Sequence, residues 1–382
     1  MSRWSTVPSA RQCLAWAAAP DADPTTSQAF FAALEDSESA VAEAGWQPLH
    51  LQSEAGVVVP LYAKGHSYGE YVFDQGWAQA AHRAGLRYFP KLLTAVPFTP
   101  SQGRRLLVAD ATVPLDEAAR QALAAVQQLA ERSRASSWHV LFPQVHELEA
   151  WTGTGMLHRL GCQYHWFDRG YGDFDGFLAT FRQSRRKTVR RERRLVAEQG
   201  ITVQVLEGPE LADEHWAVFD QCYRMTYLKR SGHGGYLTPA FFPALARALP
   251  EQLVMMLAHQ AGQPVAAALC LKSSTTLYGR YWGALGAFSQ LHFELCYYQG
   301  IEYCLRNGLA RFDPGAQGEH KIPRGFEPVL THSFHWLAEP ALARAVAEFL
   351  DHEREHVRAY ALEARQDLPF HRDGRDPLTV EP

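Results

Sequence analysis

The sequence predicts an α/β (α+β) chain of two related halves, each a mixed sheet flanked by helices. Three observations carry this. Helix-like and strand-like periodicities alternate along the chain instead of separating into blocks. The 382 residues exceed one comfortable core, since domains usually hold ~100–150 residues. A strand pair, a helix and a further strand recur in the second half with similar spacing.

Taken in order, residues 1–28 read as an irregular lead-in, broken by Pro8, Pro20 and Pro24. Ser27 caps a helix whose apolar positions are Phe30, Phe31 and Leu34. Residues 46–51 and 57–64 are strand-like around the turn 53–56. Leu115, Ala119, Leu123, Val126 and Ala130 make one face of a helix over 115–133, followed by a strand at 138–142. Residues 174–199 read as one long helix with a stripe of Phe174, Phe177, Leu178 and Phe181, stopped by Gly200. Residues 201–207 alternate as a strand. Strands follow at 253–259, 265–272 and 277–282, then an amphipathic helix at 293–306, a strand at 309–313 and a closing helix at 340–362. The expected division is a lead-in (1–28), a first domain (29–172), a basic connecting helix (173–200) and a second domain (201–382).

The repeat is specific in places. Val57 precedes Lys64 by seven residues, and Val265 precedes Lys272 by seven. Tyr68-Gly69-Glu70-Tyr71 and Tyr278-Gly279-Arg280-Tyr281 come next. A helix and a Gly-Leu pair follow in both halves, at Gly85 and Gly308.

Composition narrows the class. The chain is 47% hydrophobic with a formal net charge of -4, which excludes a disordered chain and a generic polycationic nucleic-acid coat. The six Cys form no CxxC pair and no zinc-like spacing with His, and no HxH or HExxH occurs, so no metal site is expected. Thiols in apolar runs fit a reducing cytoplasm. No run reaches ~18 apolar residues, so no membrane span is expected, and residues 13–20 are too short for a signal segment.

A strand pair, third strand, helix and strand is the arrangement of the GNAT acyltransferase core. There the sheet splays after the third long strand and the acyl donor enters the gap. Residues 184–205 and 281–318 resemble the Fem-type aminoacyltransferases, which are tandem GNAT-like proteins. The matching features are Tyr281, Gly283, Ala284, Ile301, Gly308, Phe312-Asp313 and Gly315. From Thr26 to Phe370 the chain is similar to the bacterial Fem-like (peptidoglycan biosynthesis/recognition) GNAT-fold group. That likeness rests on "KGHSYGEYVFDQGWA", "GLRYFPKLLTAVPFTP" and "FDPGAQGEHKIPRGFEPV". The resemblance implies tandem duplicated GNAT-like acyltransferase domains. It also implies an enzyme, an N-acyltransferase or aminoacyltransferase, that moves an acyl or aminoacyl group onto an amine.

One departure bears on the donor. Acetyl-CoA enzymes of this fold carry Arg/Gln-x-x-Gly-x-Gly/Ala, whereas the stretch from Arg280 ends in Leu285, and 71–77 holds no Gly-rich loop. A missing small residue blocks close backbone approach to a pyrophosphate. This favours aminoacyl-tRNA as donor substrate, with no tightly bound cofactor. The alternatives are an acyl-CoA-dependent N-acyltransferase and a non-catalytic binding module for a cell-wall precursor or peptide.

Candidate site residues cluster in four places. The Gly/Pro-broken stretch 313–325 holds Asp313, Gln317, Glu319, His320, Lys321 and Arg324. Read as an exposed loop, it offers Glu319 or His320 as base and Lys321 as electrophilic donor. His66, Tyr68 and Glu70 would share one strand face, and Lys91 lies in an apolar strand, at an edge or on substrate. Arg280, Tyr281 and His292 flank the expected splay and would contact substrate. Residues 182–194 carry eight cations against the single acid Glu192; Arg185, Arg186, Lys187 and Arg190 would bind tRNA or another polyphosphate. The stretch 227–237, with three Gly and a His, reads as a mobile loop or lid. The expected partners are tRNA and a small amine or peptide acceptor.

Overall fold

The computed structural model describes residues 3–18, 23–110, 112–316 and 318–371. The chain divides into two compact units. One comprises Met1–Gly161 and Leu330–Ala359, the other Cys162–Val329 and Tyr360–Pro382. Chain order alone suggests consecutive halves, but Leu330–Ala359 clusters with the first unit.

In the first unit, strands Trp46–Pro48, Tyr62–Lys64 and Lys91–Thr94 pair antiparallel in that order. Lys91–Thr94 then runs parallel to Ser137–Leu141, which pairs antiparallel with 333–337. A parallel pair needs a crossover, and the helix Leu115–Ser133 supplies it. That helix buries Ala118, Ala119, Ala122, Val126 and Ala130, spaced to fall on one face, and ends at Arg134 in a left-handed conformation. A smaller sheet orders Trp4–Val7, His50–Ser53, Val57–Val59 and Leu107–Val108. The core beneath the helix holds Leu51, Val59, Leu92, Trp138, Trp151 and Phe334.

In the second unit, Ile201–Glu207, Leu253–Gln260, Gln263–Lys272 and Thr276–Ala284 pair antiparallel in order. Thr276–Ala284 runs parallel to Arg311–Asp313, which pairs antiparallel with 166–167. The central strands read as almost continuous apolar runs because both faces are covered. Helix Asp213–Ser231 lies against Thr276–Ala284 at Gly283, where a Cβ would stand 2.0 Å from the Cys222 carbonyl oxygen. The crossover helix runs from Leu291 to Asn307, with one π-helical turn at Glu294–Tyr298.

In both units a run of antiparallel strands leads into a crossover helix and a parallel strand, the tandem GNAT-like arrangement expected from the sequence. The register of the repeat is different. The first unit's third strand is Lys91–Thr94, not residues 68–71. Gly69 and Tyr71 have φ of 79° and 61°, so that stretch turns instead of extending. Two more expectations are corrected. The lead-in forms the strand Trp4–Val7 and the helix Leu14–Ala18. The long helix at 174–199 is two, Phe174–Ala179 and Gln183–Glu198. It breaks because Phe181 bridges to Phe370 and the Arg182 N–H donates to the Pro369 carbonyl at 2.8 Å.

Candidate functional site

The parallel pairing of Thr276–Ala284 with Arg311–Asp313 ends at Tyr278↔Asp313. Pro314 has no N–H with which to prolong the shorter strand. Beyond it a cavity of about 120 Å³ opens, lined by Gly279, Arg280, Trp282, His292, Tyr297 and Pro314 among others. The crossover helix forms one wall, and its π-helical turn carries Cys296 and Tyr297 to the cavity. Such bulges widen a helix and often mark functional positions.

Under this opening lies a buried charge cluster. Arg280 donates to both carboxylate oxygens of Asp313, at 3.2 and 2.6 Å. His165 Nε2 stands 3.5 Å from the same carboxylate, and the Gly315 N–H donates to it at 2.9 Å. Burial opposes the charge on Asp313, but Arg280 and His165 hold its carboxyl well below the usual range. Burial pushes His165 down to about 4, so it is neutral. Lys321 is 1% exposed and donates to the Gly315 carbonyl at 2.7 Å. Burial lowers its ammonium to about 8, against the pull of Asp313. The stretch 313–325 is thus not the exposed loop expected: Glu319–Arg324 is a short 3₁₀ helix that buries Lys321, Ile322 and Arg324.

The other residues of that stretch divide. His320 Nε2 and the Tyr297 hydroxyl are 2.7 Å apart, and burial together with Lys321 lowers His320. His292 lines the cavity and is pushed by burial to about 3; no hydrogen bond to it occurs among the described residues. Glu319 accepts from Tyr360 at 2.7 Å and does not line the cavity. Arg324 donates to Glu192 at 2.6 Å and to Tyr298 at 2.9 Å, with its guanidinium 3.5 Å above the Phe293 ring. It clamps the turn to the basic helix. Gln317 lies outside the described residues.

The strand-face expectation for His66, Tyr68 and Glu70 fails, because the chain turns there. Tyr68 is 64% exposed and Glu70 3%. His66 is spent on the backbone: one ring nitrogen contacts the Ala44 carbonyl and the other accepts from the Tyr68 N–H. Lys91 is not at an edge. Fully buried, it donates to Ser67 at 2.9 Å, to Glu70 at 2.7 Å and to Asp74. Sequence reasoning missed Asp74, Tyr88, His139 and His335 beside it. Their one signal was a scarce lysine in an apolar strand, which demanded buried counter-charges.

On the basic helix, Arg193 is turned inward to Glu294 and Glu302. Lys187, Arg190, Arg191 and Arg194, spaced i, i+3, i+4 and i+7, are exposed on one face. Arg190 and Arg194 pair with Asp175 and Glu198. Arg185, Arg186, Lys187 and Arg191 make no ion pair among the described residues. The stretch 227–237 is part helix, since Asp213–Ser231 ends at Gly232 with φ 70°.

The residues of the degenerate CoA signature are used internally. Arg280 is locked to Asp313, Gly283 receives a helix, and Ala284 still belongs to the strand. Among the described residues, no cluster of His, Cys, Asp and Glu could hold a metal, and no helix is long and apolar enough to cross a membrane.

A search of curated proteins returned no match. Among solved structures, the C-terminal domain of a protein described as a lysylphosphatidylglycerol synthetase from Agrobacterium fabrum is similar, with a TM-score of 0.50 and 14% identity; 82% of this chain and 95% of that chain are covered. FemX follows with a TM-score of 0.48 and 13% identity, over 82% and 93%. A tandem GNAT protein from the clavulanic acid biosynthesis pathway gives 0.46 and 11%, over 89% and 99%. The FemAB-like family model, described as peptidoglycan biosynthesis/recognition, matches residues 6–372, and the chain belongs to that family.

Proposed function

We propose that the protein transfers an acyl or aminoacyl group from an activated ester or thioester onto an amine, with aminoacyl-tRNA as donor. The observation that carries this is the sheet opening after Tyr278↔Asp313, with the Lys321 ammonium buried behind its lining and held on the Gly315 carbonyl at 2.7 Å. Amine attack on an ester develops negative charge on the carbonyl oxygen. A pre-placed cation in a dry site stabilises that charge by ~3–4 kcal/mol. Lys321 is the group suited to this, because Asp313 is already committed to Arg280. His320, neutral and joined to the cavity-lining Tyr297 hydroxyl, is suited to receive the amine proton. Glu319, the other base candidate, points to Tyr360 instead.

The donor choice rests on two features. Arg280 and Gly283 are consumed by packing and are not free for a pyrophosphate. The exposed cations of the helix Gln183–Glu198 fit a polyphosphate backbone. The test is label transfer from charged tRNA, and separately from acyl-CoA, to a panel of amines and amine-bearing peptides. Transfer from charged tRNA, reduced ~10²–10³-fold in Lys321→Ala, is expected. Transfer from acyl-CoA alone would replace the donor. A folded protein active with neither would support the binding-module alternative.

A further inference from the structure

The first unit carries a groove apart from the candidate site residues discussed above. It has a volume of about 980 Å³ and is lined by Arg3, Trp4, Ser5 and Thr6 on one side. The other side is helix Leu115–Ser133, through Arg120, Ala124, Ala125 and Arg132 among others.

Two properties of the groove point to one occupant. The first is an open sheet edge. Trp4–Val7 pairs only with His50–Ser53, so its other side has no strand partner among the described residues. The Glu54 N–H donates to the Arg3 carbonyl, which places Arg3 and Ser5 toward the neighbouring strand. In an antiparallel ladder the alternate residues, Trp4 and Thr6, then turn N–H and C=O outward. Such an edge is a template for another extended chain. The second property is charge. Arg3, Arg120 and Arg132 face one acid, Glu117, in the lining. Arg120 is paired with Asp116, and Glu117 accepts from Gln121. Arg3 and Arg132 have no ion pair among the described residues. The small Ala124 and Ala125 leave room for side chains between helix and strand.

We infer that this groove binds an acidic peptide segment in extended conformation, which adds a strand to the Trp4–Val7 edge and places its carboxylates on Arg3 and Arg132. Each outward backbone bond contributes only ~1 kcal/mol, so charge complementarity sets the selectivity.

The test uses the full-length protein and a fluorescein-labelled decapeptide of alternating Glu and Thr, read by fluorescence anisotropy. Saturable binding is expected, with none to an alternating Lys/Thr peptide. Arg3→Glu combined with Arg132→Glu should weaken binding at least tenfold. Thr6→Pro removes an outward N–H without touching the inner ladder and should do the same, while Thr6→Ala, which keeps that N–H, binds like the parent. Circular dichroism checks that each variant is folded. Equal binding of the Lys/Thr peptide, or unchanged binding by folded Thr6→Pro, overturns the inference. Full displacement of the peptide by free citrate, or tighter binding to anionic vesicles, overturns it equally, since the groove would then read charge without reading an extended chain.

Discussion

Arg280 grips Asp313 through two nitrogens, at 3.2 and 2.6 Å, and both side chains are 1% exposed. The pair fastens the end of strand Arg311–Asp313 to the strand that continues past it, so the opening of the sheet starts from a fixed point. Asp313→Asn leaves a guanidinium buried without its counter-charge, at a cost of about 3–5 kcal/mol. Urea unfolding measures this. The pH sign follows from the depressed carboxyl: its stabilisation is fully present above the unfolded value near 4 and is lost only as pH falls through the lower folded value. Asp313→Asn should therefore flatten the acid limb of the stability curve.

Lys321 makes a different prediction, about rate. With its ammonium lowered to about 8 by burial, the charged form that would stabilise an oxyanion in the proposed transfer declines as pH rises past that value. Under saturating charged donor, kcat should fall above pH ~8 on a single-proton limb. Lys321→Ala should show a low rate without that limb. A limb that persists in the variant would assign it to another group.

The two buried lysines of the first unit should behave oppositely. Lys91 lies between Glu70 and Asp74, while Lys64 donates to the Tyr68 carbonyl at 3.2 Å and lies 3.5 Å over the Trp46 ring, 3.9 Å from Glu70. Lys91→Met strands two carboxylates in the core and should cost about 3–5 kcal/mol. Lys64→Met should cost under ~1 kcal/mol at pH 6. Burial lowers Lys64 to about 7, so below that pH the protein bears the full cost of charging it, and between 7 and 10.5 its stability rises with pH. Lys64→Met should lack that rise, measured as thermal midpoint against pH.

How much of this was legible in the sequence depends on range. The helix at 115–133 and the strands of the second unit follow from local periodicity and turn residues, which act over a few positions, whereas the opening near residue 279 was expected only from the resemblance to the GNAT core. The partners of Lys91 did not follow. Glu70 and Asp74 reach it because the chain turns at Gly69 and Tyr71, and the alternation rule assumes an extended strand where the backbone has positive φ. Asp313 and Lys321 were visible as residue types in a Gly-rich stretch. Their burial was not, because Arg280 and His165 come from strands 33 and 148 residues away from Asp313 in sequence. The helix at 174–199 was misread for a related reason: its break is set by residues 369 and 370, which no local window contains.

The cations of helix Gln183–Glu198 separate by what they face, and this yields the last prediction. Arg193 serves the fold, with Glu294 at 2.9 Å and Glu302 at 2.6 Å. Arg193→Ala should lower stability by ~2–4 kcal/mol and leave the salt dependence of tRNA binding nearly unchanged. Arg186, Lys187 and Arg191 have no ion pair among the described residues. Replacing all three by Ala removes three counter-ion-releasing contacts, each contributing ~0.7–0.9 to the log–log salt slope. The slope should therefore fall by ~2–3 while the unfolding midpoint stays within error. Filter binding of a single tRNA species between 50 and 300 mM salt measures the slope, and urea unfolding measures the midpoint. An unchanged slope in the triple variant would mean that these three cations do not meet phosphate.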